Sequence, residues 1–166
     1  MTLKTVDGYL IDVFRIPQDG PPVLLGHGNT GSMYTWIHNH PEVAVPFVLA
    51  RQGYDVWMVN FRGTIMSSQH ESLDTEAPEF WSFTFEEMGI YDLPKVIDHI
   101  IETTGHDKIN YIGYSQGATA LLAGGSLMPE YFNSRVNLAV FLGPSTSQFY
   151  NPNPVYQFQS EFWEVW

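Results

Sequence analysis

The sequence predicts an α/β domain with a mostly parallel sheet and helices on both faces. Three observations carry that expectation. Four compact apolar runs, residues 23–25, 54–60, 109–112 and 137–143, have the length and continuity of strands buried on both sides. Stretches with helical periodicity separate them, the alternation that produces parallel strands. At residues 108–125, KINYIGYSQGATALLAGG, a strand pattern turns into a helix pattern within three residues, with Ser115 at the corner.

Taken in order, residues 9–15 alternate after the Asp7-Gly8 turn signal and read as an edge strand, followed by a loop at 17–22. The strand at 23–25 ends in Gly26-His27-Gly28. Glycines placed there leave backbone N–H groups free to face a ligand; the other reading is a simple turn. Residues 44–51 read as a helix closed by Gly53, 54–60 as a buried strand and 62–78 as a polar loop. Thr84-Phe85-Glu86-Glu87 fits a capping box. Asp92 and Pro94 mark the first turn of a helix that faces inward through Ile97, Ile100 and Ile101 and stops at Gly105. Pro129 interrupts the pattern after the helix that follows Ser115, and the fourth strand opens at Asn137 and closes at Gly143. Right-handed crossovers place Gly28, Asn60, Ser115 and Pro144 along the carboxyl-terminal edge of the sheet, where open α/β sheets bind ligands.

Composition limits the function. A chain of 166 residues with 44% hydrophobic and 15% aromatic content is long and apolar enough to bury a core. A net charge of −11 would repel nucleic acid and anionic membranes, so neutral substrates suit it better. With no cysteine there is neither a disulfide framework nor a thiolate metal site. No apolar run approaches a transmembrane span, and the opening MTLKTVDGYLIDVFRIP lacks the apolar core of a signal peptide. His38, His40 and Glu42 alternate as metal ligands on one strand face would, but Asn39 and Pro41 favour a loop. No metal and no cofactor are expected.

The chemistry lies in Gly113-Tyr114-Ser115-Gln116-Gly117, a G-x-S-x-G between strand and helix. The glycines let the backbone double back, and the serine hydroxyl is expected to project above the strand ends as a nucleophile. Around it, HGNTGSMYTW (27–36), GYDVWMVNFRGTIMSSQH (53–70), EFWSFTFEEMGIYDLP (79–94) and INYIGYSQGAT (109–119) resemble successive blocks of the acid lipases, the group containing lysosomal acid lipase and gastric lipase. The resemblance runs from about Thr5 to Pro144. It implies an α/β-hydrolase fold, incomplete here because the C-terminal strands and lid are missing, and hydrolysis of neutral lipid esters such as triacylglycerols or cholesteryl esters. It also implies Ser115 as nucleophile, with the backbone N–H groups of Gln116 and Asn29 forming the oxyanion hole. Asn29 stands where that family more often has leucine.

A serine nucleophile needs a histidine base and an orienting acid, and in this fold they follow it in the chain. All six histidines, His27, His38, His40, His70, His99 and His106, precede Ser115, and only Glu130, Glu161 and Glu164 supply carboxylates after it. The triad acid and histidine are therefore expected outside this chain. Such a chain would be an incomplete lipase segment or, alternatively, a non-catalytic lipase-like subunit with an assembly role. Residues 137–143 would then be a bare apolar edge, which normally pairs, so a protein partner, a continuation of the chain or self-association is expected to cover it. Residues 1–148 read as the core and 149–166 as an aromatic tail. In the tail Phe158, Phe162 and Trp166 recur at helical spacing, either packed on core or partner or facing lipid. The family is lysosomal or secreted; the sequence itself fixes no compartment.

Overall fold

The computed structural model describes residues 1–146; the tail expected at 149–166 lies outside the described residues. The strands are β1 (Thr2–Lys4), β2 (Tyr9–Ile16), β3 (Pro22–Gly26), β4 (Asp55–Val59), β5 (Gln69–His70), β6 (Ile109–Tyr114) and β7 (Val136–Leu142). They form one sheet in the order β1-β2-β4-β3-β6-β7, with β5 paired to β2. β4, β3, β6 and β7 run parallel, whereas β2 is antiparallel to both β1 and β4. The four apolar runs are thus the parallel strands, as expected.

Alternation within the strands fills two cores. On one face Leu24, Trp57 and Tyr111 pack with Ile97 and Ile100 of α4 (Leu93–Thr104) and with Leu121 of α5 (Gln116–Leu127). On the other, Val23, Leu25, Val56 and Met58 pack with Trp36 of α1 (Tyr34–Ile37) and Ala50 of α2 (Val45–Arg51). Successive side chains of β3 and β4 therefore go to opposite buried layers. That is why these strands carry apolar residues without a polar alternate.

Three expectations need correction. Residues 9–15 do not form an edge strand: β2 lies inside the sheet between β1 and β4, and its alternating positions Ile11 and Val13 are fully buried. The polar loop at 62–78 contains β5, whose two residues extend the sheet beside β2. Pro129 starts α6 (Pro129–Arg135) instead of ending regular structure, because proline at the first helical position gives up an N–H that has no helical partner there. The capping box is present at Thr84, opening α3 (Phe85–Glu87). A π turn, Met88–Asp92, then joins α3 to α4, and Gly105 stops α4 in the left-handed conformation. Among the described residues no helix is long and apolar enough to cross a membrane.

Candidate active site

Ser115 connects β6 to α5 with φ 49° and ψ −116°, a conformation that costs a non-glycine residue on the order of 1–3 kcal/mol. The surroundings hold it there. Its amide donates to the Leu142 carbonyl at 3.0 Å, and its carbonyl accepts from the amides of Ala118 and Thr119 at 3.0 and 3.1 Å. The flanking glycines are required by contact. A Cβ at Gly113 would lie 2.7 Å from the Ala118 nitrogen, and one at Gly117 would strike the Gly26 carbonyl oxygen. The hydroxyl of Ser115 makes no hydrogen bond among the described residues.

The loop after β3 meets this corner. A Cβ on Gly28 would sit 3.1 Å from the Ser115 Cβ, so the two backbones approach as closely as a bare glycine allows. Buried His27 shapes the loop. The Phe61 amide donates to its Nε2 at 3.1 Å, which leaves the proton on Nδ1 to be donated to the Gly28 carbonyl at 2.8 Å. Burial holds the His27 pKa below its ordinary value, in keeping with a neutral ring whose two nitrogens are both engaged. Gly31 N–H also donates to the Gly28 carbonyl, and Thr30, at φ 57°, donates its amide to Asn29 Oδ1 at 3.0 Å. The Asn29 side chain is thereby folded onto its own loop. The Asn29 amide and the Gln116 amide, the first of α5, have no hydrogen-bond partner among the described residues. Both residues line a cavity of about 500 Å³. Polar His27, Asn29, Ser32 and Gln116 and apolar Phe61, Ile65, Trp81, Phe83 and Met88 are among its lining residues.

The structure brings no histidine to Ser115. His27 is occupied as described. His99, in α4, contacts the Met1 sulfur and the Trp57 ring, and His106 follows the end of α4 at the opposite end of β6. His70 Nε2 lies 2.8 Å from the Asp7 carbonyl, and its Nδ1 accepts the amides of Ser72 and Leu73. His38, His40 and Glu42 are exposed between α1 and α2, with His40 Nδ1 3.9 Å from Glu42 Oε2. Among the described residues no three His, Asp or Glu side chains are grouped to hold a metal ion.

A serine held at a strained strand-to-helix corner, at the carboxyl end of a parallel sheet of this order, is a family arrangement, and residues 21–164 match the family described as the alpha/beta hydrolase fold. The chain belongs to that family. Within the α/β hydrolases it is acid-lipase-like. It is 44% identical over 137 residues to human lipase member M, covering 77% of the chain and 32% of the relative. It is likewise 44% identical over 124 residues to bovine gastric triacylglycerol lipase, covering 69% and 31%. The chain thus spans about a third of the length of the curated relatives it matches. A solved carboxylesterase structure from Nitrososphaera gargenis superposes with a TM-score of 0.65 at 16% identity over 99% of this chain and 53% of that one, which shows the shared fold.

Two features around the candidate site escaped the sequence. One is His27 as the anchor of the loop that presents Asn29. The other is buried Arg62, bonded to Asp7 and Asp92. Fifty-five residues separate Arg62 from Asp7 and thirty separate it from Asp92, so no local pattern announces either pair.

Proposed function

We propose that this chain carries the nucleophile and the oxyanion hole of a lipase-type serine ester hydrolase acting on neutral lipid esters, triacylglycerol or cholesteryl ester. Ser115 Oγ attacks the ester carbonyl. The amides of Asn29 and Gln116 stabilise the resulting oxyanion, each such donor contributing about 3 kcal/mol in the transition state. The proton given up by the serine hydroxyl is passed to the alkoxide, which leaves as alcohol, and water then hydrolyses the acyl-serine ester to free the acid and restore the hydroxyl. The observation that carries this reading is the Ser115 backbone at φ 49° beside two unpaired amides that line one cavity. The apolar wall of that cavity suits an acyl chain, and the net charge of −11 suits an uncharged substrate.

The proton acceptor and its carboxylate come from outside these residues. What supports this is the placement of the histidines: each described one has other partners or stands away from Ser115. The same observation favours a second reading, a lipase-like subunit that keeps the corner without turnover. A fluorophosphonate probe separates the two. The chain alone is expected to label at the slow rate of an unactivated serine. Addition of the polypeptide that supplies the histidine is expected to accelerate labelling by about a thousandfold, and Ser115→Ala should abolish it. Label that persists in Ser115→Ala would exclude Ser115 as nucleophile. If no added polypeptide changes the rate, the non-catalytic reading holds.

A further inference from the structure

Arg62 is among the largest side chains that the fold buries completely, yet it has no part in the chemistry proposed for Ser115. A buried guanidinium is costly unless its donors are matched, so its partners show what it holds. Nε donates to Asp92 Oδ1 at 2.8 Å, and the Arg62 amide to Asp92 Oδ2 at 3.0 Å. Nη1 and Nη2 donate to the two Asp7 oxygens at 2.6 and 3.0 Å, and Nη2 also lies 2.7 Å from Asp92 Oδ1. The guanidinium carbon stands 4.0 Å from the centre of the Tyr9 ring and 5.8 Å from that of Phe83.

Three segments distant in sequence meet at this side chain: the turn before β2, the stretch after β4 and the π turn ahead of α4. Two of them contribute to the cavity wall. Gly63, Thr64 and Ile65 follow Arg62 directly in its wall, and Met88 opens the π turn that Asp92 closes. Gly63 lies so near the aromatic side that a Cβ there would be 2.5 Å from Phe83 Cζ and 3.1 Å from Trp81 Cζ3. Displacing the guanidinium would move the wall against those rings.

We propose that Arg62 is a positioning residue for the cavity: clamped between Asp7 and Asp92, it sets the spacing between the wall at residues 63–65 and Met88. The inference rests on the reading of this cavity as the acyl site beside Ser115. It requires the fork of arginine. A lysine ammonium is a single charged centre and cannot bridge both carboxylates while lying flat on Tyr9.

The 166-residue chain is to be titrated with a neutral, non-hydrolysable pyrene-labelled alkyl ether, with amide exchange read on the same samples. Arg62→Lys is expected to weaken probe binding about tenfold, the loss that misplacement of a supporting group brings. Exchange should quicken at residues 63–65 and 81–88 while amides of β3 and β6 keep their protection. Asp7→Asn, which removes one arm and leaves Arg62 in place, should give the same local pattern with a loss of about threefold. It decides the matter if Arg62→Lys does not fold. Binding unchanged within about twofold, or exchange that rises equally across the whole sheet, would overturn the proposal. Ser32→Trp, which puts a bulky ring at a residue lining the cavity, distinguishes the two readings. If it blocks the probe while Arg62→Lys and Asp7→Asn do not weaken it, the clamp alone fails; if it leaves the probe bound, the site reading fails and the clamp with it.

Discussion

The Ser115 amide donates a 3.0 Å hydrogen bond to the carbonyl of Leu142, so the strained corner is tied to the outermost strand of the described sheet. That strand is poorly covered. Leu138, Val140 and Leu142, on one face of β7, are 56%, 38% and 40% exposed, while Ala139 and Phe141 on the other face pack against the core. An open edge with three apolar side chains pairs with whatever is available. The isolated chain is expected to self-associate as concentration rises in sedimentation velocity. Leu138→Lys combined with Val140→Lys should return it to monomer with little loss of melting temperature. A wild-type chain that stays monomeric throughout would count against the edge as an interaction surface.

Gly117 leads to a sharper structural expectation. An alanine methyl there meets the carbonyl oxygens of Gly26 and His27, which are backbone atoms with little room to move. Overpacking of that kind costs about 2 kcal/mol, a melting decrease of roughly 4–8 °C for a chain of this size. Because the displaced carbonyls precede Gly28 and Asn29, Gly117→Ala should also slow fluorophosphonate labelling more than its stability loss explains. Differential scanning calorimetry beside a labelling time course measures both effects.

The parallel strands and the serine corner were legible because each is local. Residues 108–125 contain strand, glycines, serine and helix in one stretch, and Val23 and Val56 open uninterrupted apolar runs. The position of β2 was not legible. Alternation suits an edge strand and an antiparallel inner strand equally, and only its pairing with Trp57 and its neighbours settles which it is. The unpaired Asn29 amide was reachable from the glycines of the loop after β3, whereas the anchoring of that loop, His27 held by the Phe61 amide, depends on a contact across 34 residues. The Arg62 clamp was hidden for the same reason.

His27 supplies a test of that loop. Removing the ring by His27→Ala leaves the Phe61 amide without its acceptor inside the core and frees the Gly28 carbonyl of one of its two donors. The loss should be about 2–3 kcal/mol, seen as a lower urea midpoint with an unchanged slope. With both ring nitrogens engaged by backbone groups, the histidine is expected to act through the loop alone, so fluorophosphonate labelling at a temperature where the variant is folded should decrease only as far as the Asn29 amide is misplaced, about tenfold. Complete loss of labelling in a folded variant would instead assign His27 a chemical role.

The Arg62 cluster makes stability depend on pH in an unusual direction. Two carboxylates, Asp7 and Asp92, share one guanidinium, with Glu87 also acting on it, while Tyr9 beneath adds no cation and His70 meets this cluster at the Asp7 carbonyl and the Tyr9 edge. Burial pushes the Asp92 carboxyl up to about 6 against the pull of Arg62. Burial also opposes ionisation of Asp7, but hydrogen bonds from Arg62 and Thr5 outweigh it and hold that group below its usual range. A raised folded pKa means that the fold binds the Asp92 proton more tightly than the unfolded chain does. Its stabilisation is complete below about pH 4 and is lost as pH rises through about 6, a change on the order of 3 kcal/mol. Asp7 works in the opposite sense, losing its contribution as pH falls below about 4. Buried neutral His27 disfavours acid below about 6.5, and His99, Glu71 and Glu87 are likewise held below their ordinary values, so the wild-type curve alone mixes Asp92 with several groups of opposite sense. The difference in unfolding free energy between wild type and Asp92→Asn, measured by urea denaturation from pH 4 to 7.5, isolates Asp92. That difference should decline with rising pH and level off above about 6; a difference that grows with pH would show that pairing with Arg62 outweighs burial at this carboxylate.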